Sequence, residues 1–197
     1  MPINFLDLLD EVRAIAQTGL NYARSPYDMQ HYNRLLELTA GKYAAITGLS
    51  EELIMQRFRA ELGYITPKIG VQCALFNTEG QLLLEKRADD QLFGLPGGWV
   101  DTGETPEMAL VRELKEETGL QVKVDGLIGF YTRLPGEYAQ PHTSVHILYH
   151  CTSTGGELAL SHESLEMGFH DPHTIHNWHK DHGIQAHDAL KLFGKKH

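Results

Sequence analysis

The first third of the chain repeats apolar residues at intervals of three and four, the spacing of one face of an α-helix. The segment 5–20, FLDLLDEVRAIAQTGL, shows this pattern most clearly. Two more helices are predicted to begin after Ser25 and Ser50, which suit the N-cap position, and Pro26 suits the first helical position. The last of them is expected to stop at Gly63. The pattern therefore predicts about three helices in this region.

At Pro67 the repeat changes to that of β-strands. The runs KIGVQCALFN and QLLLEKR flank the turn letters TEG, which predicts a β-hairpin. Further strands are predicted in QVKVDGLIGFYTR, HTSVHILYHCTS and LEMGFH, and the tail from Asp171 onward is predicted to be helical. Helices and strands interleave without a strict βαβ rhythm, so the pattern favours an α/β class sandwich over a doubly wound sheet.

A short helix is predicted between these strands, with Thr105 as N-cap, Pro106 at the first position and Gly119 as the stop. Three of its glutamates fall within an arc of about 100°: Glu113, Glu116 and Glu117. Like charges at this spacing repel, more strongly at the edge of an apolar stripe. Two interpretations are open, a solvated acidic face and a divalent cation bound by the carboxylates. Mg²⁺ fits the second, because it takes oxygen ligands and retains waters and substrate phosphates.

The letters around these glutamates have a fixed spacing. Five residues separate Gly98 from Glu104, and seven more precede RELKEETGL at 112–120. This stretch resembles the Nudix box, G-x5-E-x7-R-E-U-x-E-E-x-G-U with U aliphatic, at every position, and the resemblance covers roughly residues 67–170. It implies the Nudix fold, an α/β/α sandwich around a mixed sheet. It also implies hydrolysis, dependent on Mg²⁺ or Mn²⁺, of a nucleoside diphosphate linked to another group X.

The resemblance assigns roles to residues by their position in the box. It implies that the following are metal ligands and catalytic residues: Glu113, Glu116 and Glu117. Gly97 is expected at the metal as well, and Gly97 and Gly98 are expected to let backbone approach the substrate, because glycine has no Cβ. Glu104 and Arg112 are expected to brace loop and helix through an ion pair, and Gly119 to have a structural role.

Two candidates lie outside the box. Glu166 is our preferred late acidic residue, as a catalytic base or auxiliary metal ligand, with neighbouring Glu163 also on offer; a surface acid at a strand edge is the alternative. Arg87 ends the second hairpin strand and is a candidate for binding substrate phosphate, with an ordinary surface arginine as the equal alternative.

The tail carries histidines spaced three apart: His170, His173, His176, His179 and His182. On a helix this step drifts by about 60°, so no more than two or three of them could meet at one metal. We therefore favour a polar, partly protonatable surface or lid over a transition-metal site. For Trp178, packing on the core is favoured over stacking on a base.

The chain has 197 residues and a formal net charge of -9, which argues against a sequence-independent grip on nucleic acid. Its start lacks a basic region followed by an apolar one, and no stretch approaches the roughly 20 apolar residues of a membrane helix. We expect a cytoplasmic protein without a membrane partner.

Cys73 and Cys151 lie in apolar strand-like runs and are expected to be buried free thiols.

We expect two domains, a helical N-terminal domain at 1–66 and a Nudix hydrolase domain at 67–197. The helical extension resembles that of a Nudix subgroup acting on X-linked nucleoside diphosphates, which includes CDP-choline and ADP-ribose pyrophosphatases. This resemblance implies a homodimer in which the extension takes part, and a small nucleotide substrate. Two other functions stay open: a house-cleaning pyrophosphohydrolase for nucleoside triphosphates, and a sensor that binds a nucleotide ligand without cutting it. The intact box argues against the sensor.

Overall fold

The computed structural model describes residues 5–61, 65–140 and 142–194. The chain divides into two compact units, the first made of Met1–Lys68 and Arg133–Ser144 and the second of Ile69–Thr132 and Val145–His197. The helices are α1 Phe5–Tyr22, α2 Pro26–Thr47, α3 Glu51–Ala60, α4 Pro106–Thr118 and α5 His182–Phe193. The strands are β1 Lys68–Leu75, β2 Leu82–Arg87, β3 Phe93–Gly94, β4 Leu120–Arg133, β5 Ser144–Gly156 and β6 Ser164–His170. Short 3₁₀ turns occupy Glu137–Ala139 and Pro172–Thr174.

The three helices predicted for the first unit form, and their caps are those expected. The hydroxyls of Ser25 and Ser50 each accept a backbone N–H of the first helical turn at 3.2 Å. Helix α2 ends at Gly48, whose φ of 72° is in the left-handed region that favours glycine. Helix α3 ends at Ala60, and the predicted stop at Gly63 lies outside the described residues.

Apolar faces of the three helices pack into one core, whose buried members are Leu9, Ala16, Leu36, Ala40, Tyr43, Ile54 and Phe58. Full burial of one such large apolar side chain contributes about 1.5–3 kcal/mol. Arg13 is also buried and forms ion pairs with Asp10 at 2.7 Å and with Glu61 at 3.1 Å. The first unit therefore has its own core and its own compensated buried charge.

The strands of the second unit form two three-stranded sheets, in the orders β1-β5-β4 and β3-β2-β6. The predicted hairpin of β1 and β2 is therefore wrong, since the two strands belong to different sheets. They meet at the turn, where Phe76 bridges Leu82 and the N–H of Asn77 donates to the carbonyl of Gln81 at 3.0 Å. Both strands have buried residues on both faces, so their side-chain pattern did not specify which neighbour each would pair with.

Helix α4 forms as predicted. The Thr105 hydroxyl accepts the N–H of Met108 at 3.3 Å, and Gly119 closes the helix with a φ of 74°. Its apolar face, including Leu110 and Leu114, packs in one cluster with strand residues such as Leu83. This packing fixes which face of α4 is left for the glutamates.

The tail is helical only in part. Residues 175–181 are not helical, because their backbone groups pair with β3: the N–H of Phe93 donates to Asn177 at 2.9 Å, and that of His179 donates to Phe93 at 2.8 Å. Trp178 packs against the cluster around β3 and α5, and its Nε1 donates to the carbonyl of Ile175 at 3.0 Å, which confirms the packing role.

Cys73 and Cys151 are buried free thiols, as predicted. Hydrogen bonding to Cys151 and burial raise the pKa of Cys73 well above its ordinary value. In the described part of the chain, none of the helices has the length and apolar character needed to cross a bilayer.

Candidate active site

The segment 95–100, called the glycine loop below, runs beside β1. The N–H of Val71 donates to the carbonyl of Gly98 at 2.8 Å, and the N–H of Cys73 donates to that of Pro96 at 2.9 Å. Gly97 has a φ of 145°, and a Cβ at this position would lie 2.1 Å from the carbonyl oxygen of Val71. Only glycine fits there, so contact with β1 already requires the residue that the box prescribes.

Glu117 is the deepest glutamate of the box. It is 8% exposed, and its Oε2 accepts a hydrogen bond from the N–H of Gly97 at 2.9 Å. Burial, followed by the charge of Glu85, raises the pKa of Glu117 from 4.5 to about 8, while the bond from Gly97 opposes the shift. Without a nearby positive charge, this carboxyl is largely protonated at neutral pH.

Arg112 links the other acidic residues of the box. Its Nε and Nη2 donate to the two oxygens of Glu104 at 2.8 and 2.9 Å. Its Nη1 donates to Glu113 at 2.9 Å and to Glu116 at 3.2 Å. The two-bond pair with Arg112 holds the pKa of Glu104 below its ordinary value. One guanidinium thus joins the loop before α4 to the glutamate face of the helix.

Glu113 and Glu116 differ in their surroundings. The side chain of Glu113 is 16% exposed and burial raises its pKa, whereas that of Glu116 is 61% exposed. A Cβ on Gly98 would lie 2.4 Å from the carboxyl carbon of Glu113, so the second glycine of the loop leaves space for this side chain. The three glutamates of α4 therefore range from buried Glu117 to solvent-facing Glu116.

Glu163 lies immediately before β6, and its charge acts on the glutamates of the box. Its carbonyl accepts the N–H of Ala88 at 2.8 Å, which ties it to the end of β2. Its negative charge contributes to raising the pKa of three buried or half-buried carboxyls: Glu85, Glu113 and Glu117. Of the two late acidic residues, Glu163 is therefore the one whose charge acts on the buried glutamates.

Glu166, the preferred late acid from the sequence, is placed differently. In the antiparallel register of β2 and β6, Glu166 pairs with Lys86, whereas Glu85 pairs with Met167. Successive residues of a strand face opposite sides, so Glu166 lies on the face of the sheet opposite to Glu85. Its carboxylate lies 3.7 Å from Nε2 of His170, at ion-pair distance.

Arg87 is half-buried, and its guanidinium is already paired. Its Nε and Nη2 donate to the two carboxylate oxygens of Asp89 at 3.0 and 2.9 Å. Its Nη1 lies 3.6 Å from Oε1 of Glu85. Arg87 is therefore held beside the acidic cluster rather than extended into solvent.

Glu85 was missed by the sequence analysis. It is 1% exposed, its Oε2 accepts a hydrogen bond from Ser164 at 2.5 Å, and burial raises its pKa. The available signal was an acidic residue directly after three leucines in a predicted strand, since a charged residue in a buried strand needs a partner or a function.

Two of the spaced histidines, His179 and His182, are buried and so do not belong to the polar surface or lid that we expected. His179 is buried with its Nδ1 2.5 Å from Asp90, and burial lowers its pKa. His182 is buried as well, and its Nδ1 accepts the N–H of Leu95 at 2.9 Å, at the start of the glycine loop. These two histidines therefore have structural contacts that the spacing did not indicate.

The donor set fits a hard divalent cation. Glu113 and Glu117 lie against the glycine loop with raised pKa values, and a cation is the partner that would ionise them. Among the described residues, no three acidic, histidine or cysteine side chains are arranged so that they could hold a metal ion as they stand, and Arg112 is bonded to two of the glutamates. An open arrangement suits Mg²⁺, which completes its shell with water and substrate phosphates.

The comparison with known protein families agrees with this geometry. The model of the NUDIX domain matches residues 66–192, and that of the UDP-X-like, N-terminal oligomerisation domain matches residues 4–58. The chain therefore belongs to the Nudix family. It is a Nudix hydrolase, an enzyme that acts on phosphoric anhydride bonds, with an additional helical domain.

Three similar proteins extend the comparison. YjhB of Bacillus subtilis (strain 168), named provisionally as an ADP-ribose pyrophosphatase, is 33% identical over 154 residues, covering 78% of this chain and 74% of YjhB. The ADP-ribose pyrophosphatase of Methanocaldococcus jannaschii is 36% identical over 122 residues, covering 60% of this chain and 70% of that protein. The crystal structure of a UDP-X diphosphatase has a TM-score of 0.57 and 21% identity over 95% of this chain and 94% of that one, which shows a shared fold.

Proposed function

We propose that this Nudix hydrolase is a Mg²⁺-dependent pyrophosphohydrolase that cleaves a nucleoside diphosphate linked to a group X. Water attacks one phosphorus of the diphosphate, and the bridging P–O bond breaks. The products are a nucleoside monophosphate and X-phosphate. ADP-ribose and CDP-choline are the leading substrates, and Mn²⁺ is a possible substitute for Mg²⁺.

The observation that carries this proposal is the position of Glu117. Its carboxyl is buried and bonded to the glycine loop, and the charges of Glu85 and Glu113 act on it. The pKa values of all three acids are raised. An enzyme retains such a repulsive cluster where a positively charged partner binds during its function. A diphosphate cannot supply that positive charge, whereas a divalent cation brought with the diphosphate can.

Four groups are assigned to the cation: the carboxylates of Glu113, Glu116 and Glu117, and the backbone at Gly97. The bound cation would neutralise charge on the phosphoryl oxygens and lower the pKa of a water. Glu104 and Arg112 hold the loop before α4 to the helix, and the exposed Glu116 is accessible to a cation that arrives with the substrate.

Glu163 is the proposed acceptor of the proton from the attacking water. Its charge acts on the buried glutamates, and its side chain is 54% exposed, so it can reach both the cluster and solvent. Glu166 is not assigned this role, because it lies on the other face of the strand pair. Arg87 is also proposed to bind substrate phosphate, and for this its guanidinium must release the carboxylate of Asp89.

The relatives support X-linked nucleoside diphosphates over nucleoside triphosphates. The name ADP-ribose pyrophosphatase belongs to relatives that match 60% and 78% of this chain. The helical segment matches a domain described as UDP-X-like, so a UDP-linked substrate joins the set to be tested.

A substrate panel with product identification tests the proposal. Purified full-length protein with Mg²⁺ is given ADP-ribose, CDP-choline, a UDP-sugar, ATP and an oxidised dGTP, and products are separated by ion-exchange chromatography. We expect a nucleoside monophosphate and X-phosphate from one of the first three, without inorganic pyrophosphate. Pyrophosphate release from a triphosphate as the fastest reaction would instead support the house-cleaning function.

We also propose that the chain is a homodimer through its helical region. Four large apolar residues on α1 are exposed and fall within an arc of about 100°: Phe5, Leu8, Ile15 and Tyr22. This stripe borders the buried face of α1, which includes Leu9 and Ala16, but shares no residue with it. An exposed apolar stripe on a helix is typical of an interface between subunits, and the matching family domain is described as an oligomerisation domain.

A further inference from the structure

Glu85 lies outside the Nudix box, and one of its two oxygens lacks a hydrogen bond. Ser164 donates to Oε2, at 2.5 Å. Oε1 is buried and accepts no hydrogen bond from any residue within 5–61, 65–140 and 142–194. Buried polar atoms in native proteins nearly always have a partner, so an orphan in a side chain that is 1% exposed calls for a ligand.

The backbone of β2 directs Glu85 toward α4. Alternation along the strand places Glu85 on the same side as Leu83, which packs in the core that α4 covers. Met167, the register partner of Glu85 on β6, packs against the same core. Of the neighbouring charged residues, Glu85 has the largest effect on the pKa of Glu117. The carboxylate therefore faces the end of α4 that carries the glutamates.

Arg87 does not supply the missing partner. Its Nη1 lies 3.6 Å from Oε1 of Glu85, beyond a hydrogen bond, and its Nε and Nη2 are both bonded to Asp89. The guanidinium of Arg87 is thus shared between Glu85 on β2 and Asp89 in the loop after it. Its charge partly offsets the effect of burial on the pKa of Glu85, but it makes no hydrogen bond to Oε1.

We propose that Glu85 belongs to the divalent-cation site, where Oε1 binds the cation jointly with Glu117 while Ser164 keeps Oε2 in place. This inference rests on the proposed metal-dependent function and adds to it a carboxylate that the box does not supply. The geometry has the features of a built ligand: a fixed side chain, one oxygen held by a hydroxyl and one oxygen left for a metal.

Mn²⁺ binding to the full-length protein without substrate tests the inference. Electron paramagnetic resonance of unbound Mn²⁺ at pH 8 gives the affinity. Glu85→Gln keeps the shape and the bond from Ser164 but removes the charge, and we expect it to weaken the tightest Mn²⁺ binding by about tenfold or more. Glu79→Gln, in the exposed turn before β2, loses the same charge far from the site and should bind within about twofold of the wild type.

The outcomes separate the two proposals. Wild-type binding with an unchanged affinity in folded Glu85→Gln overturns the role of Glu85 and leaves the proposed function standing. A wild-type protein that binds no Mn²⁺ overturns both. If Glu85→Gln does not fold, Ser164→Ala reads the same contact: we expect it to weaken binding by about threefold or more, as for the loss of one hydrogen bond, and an unchanged affinity overturns the inference.

Discussion

The carboxylate of Glu117 accepts a hydrogen bond from the backbone N–H of Gly97 at 2.9 Å. This bond joins the last turn of α4 to the glycine loop, which β1 holds from its other side. The bond favours an ionised Glu117, whereas burial opposes ionisation more strongly. A cation bound there, as proposed, would change both the charge of a buried carboxyl and the stability of the loop.

The metal-free protein should lose stability as pH rises. Because the pKa of Glu117 is raised from 4.5 to about 8, the folded protein keeps a proton that the unfolded chain releases above about pH 4.5. The free energy of unfolding should fall between about pH 4.5 and 8, by at most about 4 kcal/mol from this residue. Urea unfolding with EDTA at pH 5 and pH 8 measures the change.

Glu117→Gln is the matched variant for that measurement, because it cannot ionise. Its free energy of unfolding should depend less on pH than that of the wild type, and the two proteins should differ most at pH 8. Added Mg²⁺ at pH 8 should stabilise the wild type more than the variant. Parallel pH curves for the two proteins would show that Glu117 titrates normally.

Gly98→Ala should disturb the site by crowding. The new Cβ would lie 2.4 Å from the carboxyl carbon of Glu113, so this side chain must move. We expect a destabilisation of about 1–3 kcal/mol and a fall in turnover of about tenfold or more. Gly126→Ala, where a Cβ would meet nothing within 4 Å, is the control for thermal unfolding and initial rates. Equal behaviour of both variants would contradict the packing described here.

Ile15→Glu should dissociate the dimer. Its side chain is 55% exposed in the apolar stripe of α1, and a buried charge without a partner opposes association. Sedimentation velocity at micromolar concentration should show a dimer for the wild type and a monomer for this variant. Asn21→Glu, on an exposed position outside the stripe, should remain dimeric. A monomeric wild type would refute the proposed assembly.

Local signals predicted the helices well. Ser25, Ser50, Thr105 and Gly119 cap helices through contacts a few residues away, so their effect is visible in sequence. The spacing of the box likewise predicted that Glu113, Glu116 and Glu117 share one face of α4, because all three lie within a single helix.

Strand pairing could not be predicted in the same way. β1 and β2 have buried residues on both faces, and their pairing partners include strands far along the chain. The same limit applies to the late acids, because only the register with β2 shows that Glu166 lies on the side of the sheet opposite to Glu85. Glu85 itself needed the fold, since its neighbours in sequence are apolar or basic.

The rate of hydrolysis by Glu117→Gln tests the central claim most directly. Initial rates are measured at saturating Mg²⁺ on the best nucleoside diphosphate substrate, with Glu79→Gln as the control for an unrelated loss of charge. We predict that Glu117→Gln remains folded and loses 10²-fold or more in kcat, on the order found when a principal stabiliser of transition-state charge is removed, while Glu79→Gln keeps the wild-type rate. A folded Glu117→Gln protein with a kcat near that of the wild type would contradict the account.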